Sequence, residues 1–265
     1  MSDLKLMMED ELKGLEFIQP GFLLKTLKGG AVNSSYYLQT SKNSYFVKTF
    51  ESDKAALLDR KNLFDIQLEL AFKGLAVKPV YLSKTCNFQI DQWLDIPTLD
   101  HVDVPSLTTA RGLASALSRL HKTQIEAPKL DLPRQWKHYL GVTNTSVSLL
   151  EKQTLERYAA IWHQACATKS VLCHNDLALS HVTHSQPSII FDWEYCSLSC
   201  PYFDLASCVA INGLGAADEA SLYAFYAQYS EQRLSEVIKK VFVMKPLVEL
   251  TNKLWYQAFF QSMYV

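Results

Sequence analysis

The sequence has no long run of Lys or Arg, and its 26 basic side chains are balanced by 27 acidic ones, for a net charge of −1. Proteins whose main partner is nucleic acid or an anionic membrane usually carry a basic patch. The sequence also lacks any apolar run near the roughly 18 residues that a membrane-spanning helix needs. We therefore predict no nucleic-acid partner and no membrane insertion, while the oligomeric state cannot be read from the sequence.

The six cysteines form no CxxC pair. Cys196 and Cys200 are possible metal ligands by residue type, although zinc sites usually use more closely spaced pairs. The first twelve residues are mixed and acidic, unlike a secretory signal. These features predict reduced thiols in a cytoplasmic protein.

Apolar periodicity divides the chain into a strand-rich first third and a mainly helical remainder. The first third predicts helices over 1–17 and 55–73, and strands over 22–27, 35–39, 44–50, 77–82 and 88–90. The remainder predicts helices over 105–121, 155–168, 203–211, 218–228, 231–243 and 245–264, a mixed segment over 136–150, and a short buried strand over 189–191. We expect an α+β fold with two domains, residues 1–95 and 96–265.

A glycine turn and a strand lysine are candidates for phosphate binding. Gly29 and Gly30, followed by Asn33, join two predicted strands, and Lys48 lies in the next strand. Glycine lets backbone amides approach phosphate oxygens, and a lysine can neutralise their charge. The alternative is an ordinary hairpin loop followed by an outward-facing lysine.

Two acidic residues in the second half are candidates for phosphoryl-transfer chemistry. Asp176 lies in a polar, loop-like segment, and Asp192 directly follows the apolar residues 189–191. A loop carboxylate can accept a hydroxyl proton, and a carboxylate at the end of a strand can hold Mg²⁺. The alternative is that both acids only cap or solvate loops.

These residues together resemble the choline kinase, thiamine kinase and aminoglycoside phosphotransferase superfamily, which has a protein-kinase-like fold. The catalytic-loop pattern HxDxxxxN is matched by His174 and Asp176. The metal-binding pattern IDWEY is matched by residues 191–195, with Phe in place of Ile, and PxFDLA is matched by residues 201–206. The resemblance spans roughly residues 24–210 and implies two lobes, the first with a small antiparallel sheet and one helix and the second mainly helical.

The resemblance implies roles for the acids and for the residues that support them. Asp176 is expected to be the catalytic base and Asp192 the main Mg²⁺ ligand. Asp204 is expected to brace the catalytic loop, and His174 is expected to be structural. Glu194 is expected to approach the substrate hydroxyl or a second metal ion.

The resemblance also implies an ATP site. Lys48 is expected to contact the α- and β-phosphates, close to the glycine turn. Gln92, Trp93 and Leu94 are expected to form a hinge that offers backbone hydrogen bonds to adenine.

Two positions depart from the family pattern. His181 stands where the family has Asn as second metal ligand, and imidazole suits Mn²⁺ or Zn²⁺ better than Mg²⁺. Leu63 stands where a helix glutamate would pair with the strand lysine, and Asp65 or Glu69 could replace that glutamate only if the helix register shifts. These departures leave open a catalytically impaired pseudokinase that binds a nucleotide or metabolite.

The last helices carry many aromatic residues, including Trp255 and Tyr256. Core packing is one explanation. The other is that some of these rings line a substrate site and attract a cationic group by cation–π interaction. That alternative predicts a small hydroxylated amine of the thiamine, choline or ethanolamine type. An aminoglycoside is the further alternative, although its many positive charges call for more acids than Asp218 and Glu219 supply.

Overall fold

The computed structural model describes residues 3–18, 21–27, 33–50 and 58–263. These residues form two compact units, of which the first ends at Asp95 and the second begins at Ile96. No helix in these ranges is both long enough and apolar enough to cross a bilayer.

The first unit is built on a five-stranded antiparallel sheet in the order β1-β2-β3-β5-β4. Its elements are α1 (Asp3–Lys13), β1 (Leu23–Thr26), β2 (Ser35–Gln39), β3 (Ser44–Thr49), α2 (Arg60–Phe72), β4 (Pro79–Leu82) and β5 (Phe88–Gln92). The predicted meander and hairpins are therefore present. The predicted helix over 55–73 is observed from Arg60, and residues 55–57 lie outside the described ranges.

The two faces of this sheet have different surroundings. On one face, Val47 and Ile90 lie opposite each other and pack in a buried core with Met8 and Leu12 of α1. Because side chains alternate along a strand, Lys48 and its partner Gln89 lie on the other face. Lys48 therefore lies on the face opposite to α1, together with Gln89.

Sequence-encoded caps set the ends of α2. The Asp59 side chain accepts a hydrogen bond from the Asn62 N–H at 3.1 Å, which satisfies a donor that the first helical turn leaves unpaired. At the other end Gly74 has a φ of 70°, a left-handed conformation that glycine adopts easily. This conformation ends the helix next to residue 73, the predicted helix end.

The second unit is mainly helical. It contains α3 (Ser106–Lys122), α4 (Leu132–Val142), α5 (Leu149–Thr168), β6 (Val171–Cys173), β7 (Ser197–Ser199), α6 (Pro201–Ile211), α7 (Ala216–Tyr229) and α8 (Leu234–Met263). β6 and β7 form a two-stranded antiparallel ribbon.

Two helix predictions were wrong because local caps and tertiary packing outweigh periodicity. α5 begins at Leu149 rather than at residue 155, since Ser148 and Glu151 form a reciprocal capping box. The predicted helices 231–243 and 245–264 are one helix, α8, with Pro246 inside it. Pro246 removes a helix hydrogen bond, but Met244, two residues before it, and Leu247, directly after it, are buried in the core.

The predicted strand over residues 189–191 is reduced to one bridge. Ile190 pairs with Val182, and no longer strand forms there. Asp192 has a φ of 61°, which is incompatible with extended backbone and stops the pairing. The backbone still connects the two segments, because the Phe191 N–H donates to the His181 carbonyl at 2.8 Å. This pairing brings His181 next to Asp192.

Candidate active site

The loop that carries Asp176 begins where β6 ends. Cys173, the last residue of β6, pairs with Ser197 of β7, and the chain then turns through Asn175 with a φ of 64°. Asparagine is among the few non-glycine residues that tolerate this left-handed conformation. Two of the five non-glycine residues with positive φ in the described ranges lie here: Asn175 directly precedes Asp176, and Asp192 is the predicted metal ligand. Proteins often hold backbone strain at functional sites.

Side-chain hydrogen bonds hold Asn175 in this conformation. Its amide nitrogen donates to the Tyr195 carbonyl at 2.8 Å and to the Ser197 hydroxyl at 2.9 Å. Its amide oxygen accepts from the Ser199 hydroxyl at 2.7 Å. Asn175 thus joins the loop before Asp176 to β7 and to the segment that follows Asp192.

Asp204 of α6 is fully buried beneath the loop. Its two carboxylate oxygens accept the backbone N–H groups of His174 at 2.9 Å and Asn175 at 2.7 Å. His121 Nε2 lies 3.0 Å from one of the same oxygens, and His121 Nδ1 lies 2.8 Å from the Tyr226 hydroxyl. Burial acts to raise the pKa of Asp204, but the hydrogen bond and charge of His121 and the N–H of His174 outweigh it, so the pKa is lowered. Asp204 therefore stays ionised inside the core.

His174 connects the loop to the segment that carries Asp192. Its Nδ1 accepts from the Asp176 N–H at 3.3 Å, and its Nε2 lies 2.8 Å from the Phe191 carbonyl. Because a carbonyl only accepts, the proton is on Nε2 and the ring is neutral. Burial, and then the nearby His181, lower the pKa of His174 to about 4. Both ring nitrogens are occupied, so His174 has no atom left for a metal or a substrate.

His181 links the two predicted catalytic acids through its two ring nitrogens. Nδ1 lies 3.0 Å from the Asp176 carbonyl, and Nε2 lies 3.6 Å from Asp192 Oδ2. The Ala178 N–H also approaches Nδ1, at the longer distance of 3.4 Å. The shorter contact requires a proton on Nδ1, because the carbonyl can only accept. If the ring is neutral, Nε2 carries no proton and its lone pair points towards the Asp192 carboxylate. A cation between the two atoms would stabilise this arrangement.

One other cluster in the described ranges brings three possible metal-ligand side chains together. His121, Cys173 and Asp204 have one ligand atom each within 4.8 Å of the others, and all three residues are buried. The ring nitrogens of His121 and the oxygens of Asp204 are already hydrogen-bonded, and Cys173 Sγ donates to the Ser199 carbonyl at 3.6 Å. Burial raises the pKa of Cys173 well above its usual value, so the thiol stays protonated. The cluster is a hydrogen-bonded brace rather than a metal site.

The predicted substrate residues are partly connected to the acids. Trp255 of α8 donates its indole N–H to the Tyr195 hydroxyl at 2.9 Å, next to Glu194 in the chain. Burial raises the pKa of Tyr195, and the charges of Glu194, Tyr139 and Asp176 raise it further. Tyr256, in contrast, is 55% exposed on the surface of α8.

The predicted nucleotide residues lie in the first unit, and the structure describes most of them. Lys48 lies in the middle of the sheet, and Asn33 is buried. Gln92 ends β5, and its N–H donates to the Lys78 carbonyl at 2.9 Å. The Trp93 N–H donates to the Ser44 carbonyl at 3.2 Å. Gly29 and Gly30 lie outside the described residues.

Comparison with known proteins identifies the family. The model of the phosphotransferase enzyme family matches residues 24–238, more than half of the chain. The chain belongs to this family. The fold also matches solved structures of such phosphotransferases, so the expected protein-kinase-like α+β fold is confirmed.

Three of these structures show how far the likeness extends. Choline kinase LicA from Streptococcus pneumoniae aligns with a TM-score of 0.71 and 19% identity over 96% of this chain and 90% of its own. A structure of LicA in complex with AMP gives 0.74 and 18% over 98% and 91%. An aminoglycoside-3'-phosphotransferase of type VIII gives 0.66 and 17% over 92% and 98%. No curated protein matches the sequence.

Sequence reasoning missed two side chains, Asn212 and His121, that support the loop carrying Asp176. Asn212, which ends α6, accepts from the Leu179 N–H at 2.7 Å and donates to the Leu177 carbonyl at 2.9 Å. His121, near the end of α3, pairs with Asp204, and no pattern in the sequence indicates this pairing. The bonds of Asn212 to residues 177 and 179 and the pairing of His121 with Asp204 both join residues far apart in the chain, so they depend on tertiary structure.

Proposed function

We propose that the protein is a kinase that transfers the γ-phosphoryl group of ATP to the hydroxyl of a small cationic alcohol of the thiamine or choline/ethanolamine type. The observation that carries this proposal is the meeting of the two acids on His181. One ring nitrogen contacts the backbone of Asp176, and the other faces the carboxylate of Asp192. His181 thereby connects the residue proposed as the base to the residue proposed as the metal ligand.

The proposed reaction is a direct transfer without a covalent enzyme intermediate. The Asp176 carboxylate accepts the proton of the substrate hydroxyl as its oxygen attacks the γ-phosphorus. The bond between that phosphorus and the bridging oxygen breaks, and ADP leaves with the electron pair. Asn175 and Asp204 contribute by fixing the backbone on which Asp176 is carried.

The donor set on the second unit fits a divalent cation. Asp192 offers a hard carboxylate oxygen and His181 an imidazole nitrogen, 3.6 Å apart, and both side chains are partly accessible. When bound, a divalent ion neutralises the charge of the transferring phosphate. We propose that this ion is Mg²⁺, with Mn²⁺ as the alternative because an imidazole ligand suits it better.

Nucleotide binding is proposed for residues of the first unit. Lys48 supplies a positive charge for the α- and β-phosphates. The Trp93 N–H is engaged by Ser44, so we propose that Leu94 provides the backbone donor for adenine at the hinge of Gln92, Trp93 and Leu94. The AMP bound to LicA supports a nucleotide as the donor.

A cationic acceptor is supported by the surroundings of Tyr195. The negative charges of Glu194 and Asp176 act on this phenol, and the Trp255 indole lies against its hydroxyl. Carboxylates and aromatic rings together favour a positively charged group. We propose that Glu194 and Trp255 contact the acceptor, with exposed Tyr256 at the outer edge of the same helix.

The test is ATP consumption with thiamine, choline, ethanolamine and an aminoglycoside, with Mg²⁺ and with Mn²⁺. We expect turnover with one of the small amines. Asp176→Asn should lower this turnover by about 100-fold or more, whereas Asp103→Asn, at an exposed position, should keep the wild-type turnover. Full turnover in Asp176→Asn would exclude this base.

The same measurements separate the alternatives. Preferred turnover of the aminoglycoside would exclude the small-alcohol assignment. If ATP raises the melting temperature but no acceptor and no metal supports turnover, the protein is a nucleotide-binding pseudokinase.

A further inference from the structure

A cluster of polar side chains lies within the first unit, on the sheet face opposite to α1. Gln89 of β5 donates from its amide to Asp91 Oδ1 at 2.7 Å and to Gln67 Oε1 at 2.8 Å. Gln67 of α2 donates to the same Asp91 oxygen at 3.1 Å and to the Val77 carbonyl at 3.2 Å. We call Gln67, Gln89 and Asp91 the polar cluster. Both glutamines are buried, with exposed fractions of 6% and 9%.

Burying the two glutamine amides beside the partly buried Asp91 carboxylate is costly unless these groups hydrogen-bond one another or pair with a further charge. The two glutamines direct their amide N–H groups onto one carboxylate oxygen and fix its position. The polar cluster therefore fixes a negative charge on this face of the sheet. A positively charged side chain on the same face can pair with it.

Strand register places Lys48 on the same face as the cluster. Lys48 of β3 is directly opposite Gln89, and Asp91 is opposite Phe46, two residues before Lys48. Asp91 is therefore the diagonal neighbour of Lys48 across one antiparallel pair, at a Cα separation of roughly 7–8 Å that long side chains span. A lysine side chain from β3 and a carboxylate from β5 thus emerge on one side of one sheet.

The acids of α2 are not placed for this role. Asp65 is exposed, and Glu69 is exposed and forms an ion pair of 3.6 Å with Lys73. Leu63, at the position where a glutamate was expected, is apolar. The residue that α2 directs to the sheet is Gln67, which binds Asp91.

We propose that Asp91 is the carboxylate that positions the ammonium group of Lys48, and that Gln67 and Gln89 hold Asp91 in place for this purpose. The contribution of this pair to nucleotide affinity rests on the proposed function. The counter-charge of the lysine then comes from the neighbouring strand, whose geometry is fixed by the sheet, and not from a helix.

The reactivity of the Lys48 amine tests the proposal without any nucleotide. An acylating ester modifies only neutral amines, and a nearby carboxylate keeps an amine protonated. With Lys42 on the exposed β2–β3 turn as internal reference, the Lys48 to Lys42 modification ratio, read by peptide mass spectrometry, is expected to rise about tenfold in Asp91→Asn. Asp91→Glu should restore most of the difference, and Asp65→Asn should leave the ratio unchanged.

An unchanged ratio in folded Asp91→Asn, or an equal rise in Asp65→Asn, overturns the proposal. If Asp91→Asn does not fold, Gln67→Met is used instead, because it keeps the Asp91 carboxylate but removes one of its hydrogen-bond donors. A Lys48 to Lys42 modification ratio equal to that of the wild type in Gln67→Met would then overturn the proposal.

Nucleotide affinity separates this inference from the proposed function. ATP affinity, measured by calorimetry, is expected to fall about tenfold in Asp91→Asn and to stay unchanged in Asp65→Asn. If the wild-type protein binds no ATP, the proposed function fails, while the modification ratio still decides the pairing. If Lys48→Met abolishes ATP binding but Asp91→Asn changes neither affinity nor modification, only the pairing is wrong.

Discussion

Replacing His181 with asparagine is expected to change which divalent metal the protein holds. His181 Nε2 and Asp192 Oδ2 are 3.6 Å apart, whereas adjacent ligands of an octahedral ion with bonds of about 2.1 Å are about 3.0 Å apart. These two side chains would hold such an ion after an approach of about 0.6 Å. His181→Asn exchanges the nitrogen for a harder amide oxygen, so we expect Mn²⁺ affinity to fall at least about tenfold while Mg²⁺ affinity is kept or improved.

Electron paramagnetic resonance gives a readout that does not depend on turnover. Mn²⁺ titration in the presence of ATP measures the free ion, and pulsed measurements detect a ligating ¹⁴N nucleus. Nitrogen coupling is expected in the wild-type protein and in His184→Asn, an exposed histidine three residues away. It should be lost in His181→Asn.

The reasoning would be refuted by Mn²⁺ that binds to the wild-type protein without nitrogen coupling. In that case the approach of His181 to Asp192 is an ion pair of a protonated imidazole, which holds the carboxylate without a metal.

Three further predictions follow from the buried network and from α8. Asp204→Asn weakens the bonds to the two loop N–H groups and to His121, and it is expected to lower the free energy of unfolding in urea by about 3 kcal/mol; a change below about 1 kcal/mol would contradict the brace. Trp255→Phe removes the hydrogen-bond donor to Tyr195, which should lower the free energy of unfolding by about 1 kcal/mol. It should also raise the KM for a cationic acceptor several-fold and leave kcat nearly unchanged. An equal rise of the KM for an uncharged alcohol would argue against a cation site. The pKa of His174 is about 4 in the folded protein and roughly 6.5 in the unfolded chain. His174 therefore contributes up to about 3 kcal/mol to the free energy of unfolding above pH 6.5, and this contribution is lost as the pH falls from 6.5 towards 4. Urea unfolding of the wild type and His174→Gln should therefore converge at low pH, and parallel pH curves would contradict the neutral buried ring.

The sequence was sufficient where local patterns determine structure. Apolar periodicity predicted the strand over 44–50, observed as β3, and the helix that ends at residue 73, observed as α2. The pattern could not reveal the ribbon of β6 and β7, because strands of three residues carry too little periodicity. It divided α8 at Pro246, because the buried residues that keep this helix continuous act through tertiary contacts.

The candidate site divides in the same way. The motif supplied the types and order of His174, Asp176 and Asp192, and these predictions of role await experiment. The network beneath them depends on pairs far apart in the chain, such as His121 with Asp204, which no local spacing encodes. The polar cluster was missed for a related reason, because strand register decides that Asp91 and Lys48 share a face.

The single indole bond from Trp255 to Tyr195 has a consequence for how this architecture can evolve. The loop before Asp176 is secured from beneath by Asp204 and Asn175, while α8 reaches the same region through the bond to Tyr195. Substitutions around Trp255, unlike substitutions at buried residues of α8 such as Leu247, can therefore alter what approaches the acids without disturbing the acids themselves. Such an arrangement lets the accepted molecule diversify among descendants while the transfer machinery is inherited unchanged.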